Sequence, residues 1–153
     1  MSETYARLEA ENLEPAHELS ALARGASDDG AVVSFVGLAR ATSKAGEPVE
    51  ALVLQHHPRL TENSLHDIAA AAMQRFPVTR VRVVHRCGTI FPGQAIVFAG
   101  ATSPHRRAAF DAADYLMDRL KTDAIFWKRE ESRSGANWIE PSDADYTARK
   151  RWD

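Results

Sequence analysis

The run Ala95-Ile96-Val97-Phe98-Ala99-Gly100-Ala101 carries no polar side chain. A segment this short and this apolar reads as a central β-strand. Thr102 leads it into Ser103-Pro104, where serine suits a helix N-cap and proline a first helical position. Ala109, Ala113, Leu116 and Leu120 then recur on one helical face, so the helix extends to about Leu120. The chain therefore has to pass from the middle of a sheet straight into a helix.

The other periodic segments are mixed in type. Helices are predicted over Pro15–Arg24, with Leu19, Leu22 and Ala23 inward, and over Thr61–Phe76, with Thr61 as the cap. Strands are predicted over Ala31–Val36, Ala51–His57, Arg80–Arg86, Ala124–Glu130 and Asn137–Glu140. Thr42–Pro48, Phe91-Pro92-Gly93 and Ser132–Ala136 read as loops or turns. No repeat is apparent. The order favours an α+β fold over a doubly wound sheet, in one domain spanning 1–153.

Composition excludes several classes of function. The net charge of -2 gives no global attraction to nucleic acid or to an anionic membrane. One cysteine, Cys87, rules out an internal disulfide and a multi-thiolate metal site. Met1–Ala10 carries Glu3, Arg7 and Glu9 and lacks the apolar stretch of a signal peptide. A cytoplasmic location is the expectation. His56 and His57 are adjacent and would point to opposite faces of a strand, so no metal site is expected there.

Four segments can carry chemistry. Lys121 falls at a helix end and Lys128 in the next strand, sharing a face with Phe126 and Glu130. Two such lysines can converge, and a desolvated lysine near a second cation becomes a nucleophile or proton carrier. The plainer account is a lysine complementing the helix dipole and a solvated strand residue. Ser103-Pro104-His105-Arg106-Arg107 joins a helix N-terminus to basic side chains, as an anion site would; a capped surface helix would look the same. Gly37-Leu38-Ala39-Arg40 ends a strand with an arginine able to reach a ligand, or is simply a turn. In His85-Arg86-Cys87-Gly88, the histidine reads as a hydrogen-bonded core residue and the cysteine as a small hydrophobe.

Taken in order, these pieces resemble the large, catalytic subunit of molybdopterin synthase. The matching residues run from Asp29-Gly30-Ala31-Val32-Val33 through Phe35-Val36-Gly37 and Arg40, His56 with Pro58 and Thr61-Glu62, and His85-Arg86 with Gly88, Pro92 and Gly93. They continue through Ser103, His105-Arg106, Phe110, Leu120-Lys121-Thr122 and Phe126-Trp127-Lys128-Arg129-Glu130 to Trp138. The likeness covers about residues 29 to 140. It implies an α/β hammerhead fold with a small antiparallel β subdomain, and a homodimer within a heterotetramer. The partner would be a small ubiquitin-like sulfur-carrier subunit whose C-terminal Gly-Gly bears a thiocarboxylate. The substrate would be cyclic pyranopterin monophosphate, with neither cofactor nor metal.

By the same resemblance, Lys121 and Lys128 are catalytic. Arg40, His105 and Arg106 bind the substrate phosphate, and Phe35, Met117 and Glu130 line or support the pocket. Gln55, His57, Asp123, Ile125, Leu38-Ala39 and Pro141-Ser142 depart from the family pattern. Two other readings are a non-catalytic module that holds a ubiquitin-like tail and an unrelated phosphate-binding enzyme using the Ser103–Arg106 helix start. Retention of both lysines argues against the first, and the Phe126–Glu130 segment against the second.

Overall fold

The computed structural model describes residues 2–153. The apolar run lies in strand β6 (Ala95–Ser103), whose residues are all buried except the half-buried Ile96. β6 is central in a four-stranded sheet of order β1-β4-β6-β2, with β1 (Glu3–Glu9), β4 (Arg80–Arg86) and β2 (Ala31–Leu38). β1 and β4 are parallel; the other pairs are antiparallel. Helix α1 (Pro15–Ala23) covers one face. Its Leu22 packs with Val84 and Phe98. Gly100 permits this approach, because a Cβ there would lie 2.6 Å from Leu22 Cδ2. Helices α2 (Leu60–Arg75) and α3 (Arg106–Thr122) cover the other face, enclosing Val81, Val83, Val97, Ala99 and Ala101.

A second sheet has the order β5-β3-β7-β8 and is antiparallel throughout. It comprises β3 (Ala51–His56), β5 (Gly88–Ile90), β7 (Phe126–Ser132) and β8 (Gly135–Ile139). The β2–β6 register slips between Gly37 and Leu38, so Val97 and Ala95 face successive residues of β2. Ile96, the extra residue, packs toward both the main core and the Ala39–Leu54–Ile90 cluster beneath the second sheet. The fold is thus mixed α+β, with two sheets and four helices.

Several expectations need correction. Ser103 does not cap α3. It remains in β6 opposite Ala31, donates to the Pro77 carbonyl (3.1 Å) and accepts from the His105 N–H (3.2 Å). His105 is itself extended (φ -129°, ψ 141°), so the helix begins only at Arg106, with His105 at the cap position. Thr61 is not the cap of α2 either. Its hydroxyl accepts from the His57 N–H (2.8 Å) and donates to the Ile125 carbonyl (2.6 Å), tying the helix start to the approach of β7. His57 Nδ1 takes the N–H groups of Arg59 and Leu60 instead (3.2 and 3.0 Å). β7 starts at Phe126 rather than Ala124, and β8 starts at Gly135, leaving a tight hairpin.

Three elements have weak sequence signals. β1 is a charged edge strand in which only Ala6 is buried. β5 has three residues. Helix α4 (Asp143–Lys150) buries no residue, but its start is a capping box, with Ser142 and Asp145 exchanging side chain-to-backbone hydrogen bonds. Trp152, just beyond it, packs edge-on against Phe76 and Tyr115.

On α1 the inward residues are Glu18 and Leu22; Leu19 and Ala23 are exposed. Glu18 Oε1 accepts from Arg82 Nε and Nη2 (3.0 and 2.7 Å), and Oε2 accepts from Arg7 Nη2 (3.1 Å). Burial alone would raise this carboxyl, but the hydrogen bonds from Arg82 and Arg7 outweigh it and hold the pKa below the ordinary range. The ionised pair therefore stabilises the fold above the unfolded glutamate pKa, and that contribution is lost as the pH falls through the lower folded value. Glu18→Ala strands the Arg82 guanidinium and is expected to cost about 3 kcal/mol. Urea unfolding at neutral pH measures this, and an unchanged midpoint would show that the pair contributes nothing.

Candidate functional site

The β2–β6–α3 unit sets the positions of the basic residues. Ala31 faces Ser103 at one end of the strand pair, and Leu38 faces Ala95 at the other. The strand β6 spans about 26 Å between those ends at ~3.3 Å per residue. α3 starts beside the Ser103 end and packs back along β6 and β2. At 1.5 Å per residue, Lys121 lies about 22 Å from Arg106 along the helix axis. Arg40, two residues beyond β2, and Lys121 are therefore at one end of the sheet, and His105 and Arg106 are at the opposite end.

The lysine end is built from three elements. Lys121 is exposed in the last turn of α3, and Lys128 lies in β7 opposite Leu54. Phe126, on the same face of β7 as Lys128, stacks on His85 at 4.2 Å between ring centroids. His85 is buried, with Nδ1 2.8 Å from the Arg86 carbonyl oxygen. Burial pushes its pKa down to about 3; the contact with the Arg86 carbonyl opposes this, and the charges of Lys128 and Lys121 add to the depression. His85 is therefore a neutral packing residue at the base of the site.

Burial, joined by the positive charge of Lys121 and opposed by Asp145, lowers Lys128 to about 8. An amine at this value exchanges its proton near neutral pH, so Lys128 can act as a proton carrier or a nucleophile. Asp145, on α4, is held below the ordinary carboxylate range. Burial opposes the shift, but the Ser142 hydrogen bonds and the charges of Lys121 and Lys44 prevail. Lys44 and Asp145 thus join the lysine end. Both escaped the sequence reading because one lies in the Thr42–Pro48 loop and the other on the helix with no buried residue.

The remaining residues are dispersed. Glu130 lines a small recess with Ser43, Glu47, Pro48 and Val49. Phe35 is opposite Ala99, midway along the strand pair, and is exposed. Met117 is half-buried against the main core. Phe35 thus lies between the two ends, whereas Met117 is one helical turn from Lys121, toward the lysine end. Cys87 is buried, and that burial raises its thiol pKa.

The sequence model of the family described as MoaE protein matches residues 8–123. A Yersinia pestis protein named molybdopterin synthase catalytic subunit is 46% identical over 152 residues, with 99% of each chain covered. Among solved structures, the molybdopterin biosynthesis MoaE protein of Burkholderia ambifaria superimposes with a TM-score of 0.82 at 35% identity, covering 99% of this chain and 98% of that one. A complex of subunits 1 and 2 of a molybdopterin-converting factor from Helicobacter pylori contains a chain of the same fold, with a TM-score of 0.71 at 18% identity over 90% of each chain.

Replacing Lys121 with Gln removes the nearby positive charge but not the burial of Lys128. The Lys128 pKa should then rise part of the way from about 8 toward the ordinary lysine value. A side-chain NMR titration reads this directly. An unmoved Lys128 midpoint would show that the two amines do not interact.

Proposed function

We infer the function from the premise that this chain belongs to the MoaE protein family: it is a molybdopterin synthase catalytic subunit, a sulfur-transferring enzyme of molybdenum cofactor biosynthesis. The observation that carries the site assignment is the Lys121–Lys128 pair, with Lys128 lowered to about 8 beside a second cation. In the proposed reaction the substrate is cyclic pyranopterin monophosphate. Sulfur arrives on the C-terminal thiocarboxylate of a small ubiquitin-like partner. Both reactants are anionic, so fixed cations at the Lys121 end attract them and stabilise charge that builds as sulfur is transferred. Lys128 moves a proton there, and Lys121 lies beside the partner's tail. The two-sheet arrangement is read as the α/β hammerhead, with β5-β3-β7-β8 as its small antiparallel subdomain.

A phosphate site that uses both Arg40 and the His105–Arg106 pair needs two copies of the chain, because they lie at opposite ends of one protomer. β2 is an edge strand, and Val32, Phe35 and, on α3, Phe110 are exposed beside it. A two-fold axis near Phe35 would cover this apolar strip. It would also bring the partner copy's helix start to the lysine end. The same packing supports the homodimer proposed at the centre of a heterotetramer.

Reconstitution with a thiocarboxylated partner and precursor tests the assignment. Lys121→Ala and Lys128→Ala should each abolish product formation in a folded protein, and Lys128→Arg should not restore it because its guanidinium remains charged. Normal turnover by either alanine variant would remove that lysine from the mechanism. Lys121→Ala and Arg106→Ala chains, each inactive alone, should recover about a quarter of wild-type activity when unfolded and refolded together, since random pairing gives half heterodimers with one intact site each. No recovery from a confirmed mixed dimer would contradict the shared site. Cys87→Ala should keep most activity and cost at most about 2 kcal/mol of stability. Loss of turnover in that folded variant would overturn the route of sulfur through the partner.

A further inference from the structure

We propose that Asp29 and Gly30, which lead into β2, are positioning residues for the substrate's phosphate: they fix the Pro104–His105 connection from which His105 and Arg106 project. The proposal rests on the reading of His105 and Arg106 as phosphate ligands and extends it to a neighbouring strand.

β6 ends at Ser103 and α3 begins at Arg106, so only Pro104 and His105 connect them. Pro104, His105 and Arg106 are exposed, whereas Thr102 and Ser103 are buried. No side chain caps α3, and no acidic residue in its first turn offsets Arg106. The first residue of the helix to be buried is Ala109, most of a turn further on. What fixes the connection therefore serves the exposed basic groups ahead of the core.

The connection is held from three sides. Gly30 precedes Ala31, the partner of Ser103 in the β2–β6 pair. A Cβ at Gly30 would lie 2.6 Å from the Pro104 carbonyl oxygen and 3.6 Å from its carbon. The Gly30 backbone is outside the left-handed region, so close approach alone calls for glycine here. From the second side, Ser103 Oγ accepts from the His105 N–H (3.2 Å) and donates to the Pro77 carbonyl (3.1 Å). On the third, Asp29 Oδ2 lies 2.6 Å from Thr79 Oγ1, which lies 2.7 Å from Thr102 Oγ1. A carboxylate only accepts, so Thr79 donates to Asp29 and Thr102 donates to Thr79. This chain ties the residue before Gly30 to the residue before Ser103. The Thr79 N–H adds a bond to the Thr102 carbonyl (2.8 Å).

An added methyl at position 30 has to open the 2.6 Å contact to at least the 3.4 Å of ordinary packing, a shift of roughly 0.8 Å. The atom it meets is backbone, so the Pro104–His105 peptide moves and carries the imidazole and the helix start with it. Fixed donors matched to one phosphate tolerate little displacement of this kind.

The test is calorimetric binding of cyclic pyranopterin monophosphate to the protein in complex with its small partner, whose tail is left as a carboxylate so that no turnover occurs. Gly30→Ala should keep its circular dichroism spectrum and weaken binding about tenfold. In an Arg106→Ala protein the same substitution should change the Kd by less than about twofold, because the group it positions is gone. Asp29→Ala should also weaken binding, and Asp29→Asn, whose amide oxygen still accepts from Thr79, should restore it; this pair decides the matter if Gly30→Ala does not fold. Wild-type affinity in folded Gly30→Ala, an equal loss with and without Arg106, or equal affinities of Asp29→Ala and Asp29→Asn would each overturn the proposal alone. Wild-type affinity in Arg106→Ala would instead overturn the phosphate-site reading, and the proposal with it.

Discussion

The complete burial of β6, broken only at the half-buried Ile96, is the constraint on which the rest of the molecule depends. A strand with no polar side chain from Ala95 to Ala101 has to be covered on both faces, and α1 and the α2–α3 pair do so. Because α3 follows β6 after a short connection, it can cover the sheet only by running back along it. That return separates the helix start, with His105 and Arg106, from the helix end, with Lys121. The bulge at Ile96 then lets the same strand contact the core beneath the second sheet, which carries Lys128. The positions of the basic groups are thus consequences of how one apolar strand is buried.

The electrostatics follow from this scaffold. Lys128 is carried on β7 with its face toward His85 and Phe126, where water is scarce, and it shares that space with Lys121. A poorly solvated cation beside an exposed one is unfavourable until an anion arrives, and this is the condition in which an anion is bound strongly. The neutral His85 adds no third charge. Asp145 limits the repulsion, and it comes from a helix held in place by Trp152 on Phe76 and Tyr115 and by ion pairs of Arg149 and Arg151 with Asp123 and Asp118.

Much of the layout was legible in the sequence where periodicity and burial coincide. The apolar run of β6, the Leu65–Ala72 face of α2 and the inward stripe of α3 all lie where the pattern placed them. The adjacency of Lys121 and Lys128 to a helix end and the following strand was readable for the same reason. What local pattern did not carry is separation in space. The family resemblance groups Arg40 with His105–Arg106 as one anion-binding set, but strand register and helix direction place them at opposite ends of the sheet. Glu18 was missed because a charged residue in a short helix reads as solvated, and only the pairing of β1 with β4 brings Arg7 and Arg82 to it. For α4, the capping-box start was present in the Ser142–Asp145 spacing, but without an apolar stripe it gave no helical periodicity.

The sharing of one reaction site's cations between two copies of this chain is the proposal on which the site assignment rests. Its most direct measurement is chemical cross-linking of a Cys87→Ala, Lys121→Cys, Arg106→Cys protein with a short bis-maleimide at low protein concentration. A shared site should give covalent dimers linked between position 121 of one chain and position 106 of the other, identified by peptide mass mapping. A monomer closed by a 121–106 link within one chain, or a dimer that never joins these two positions, would contradict it.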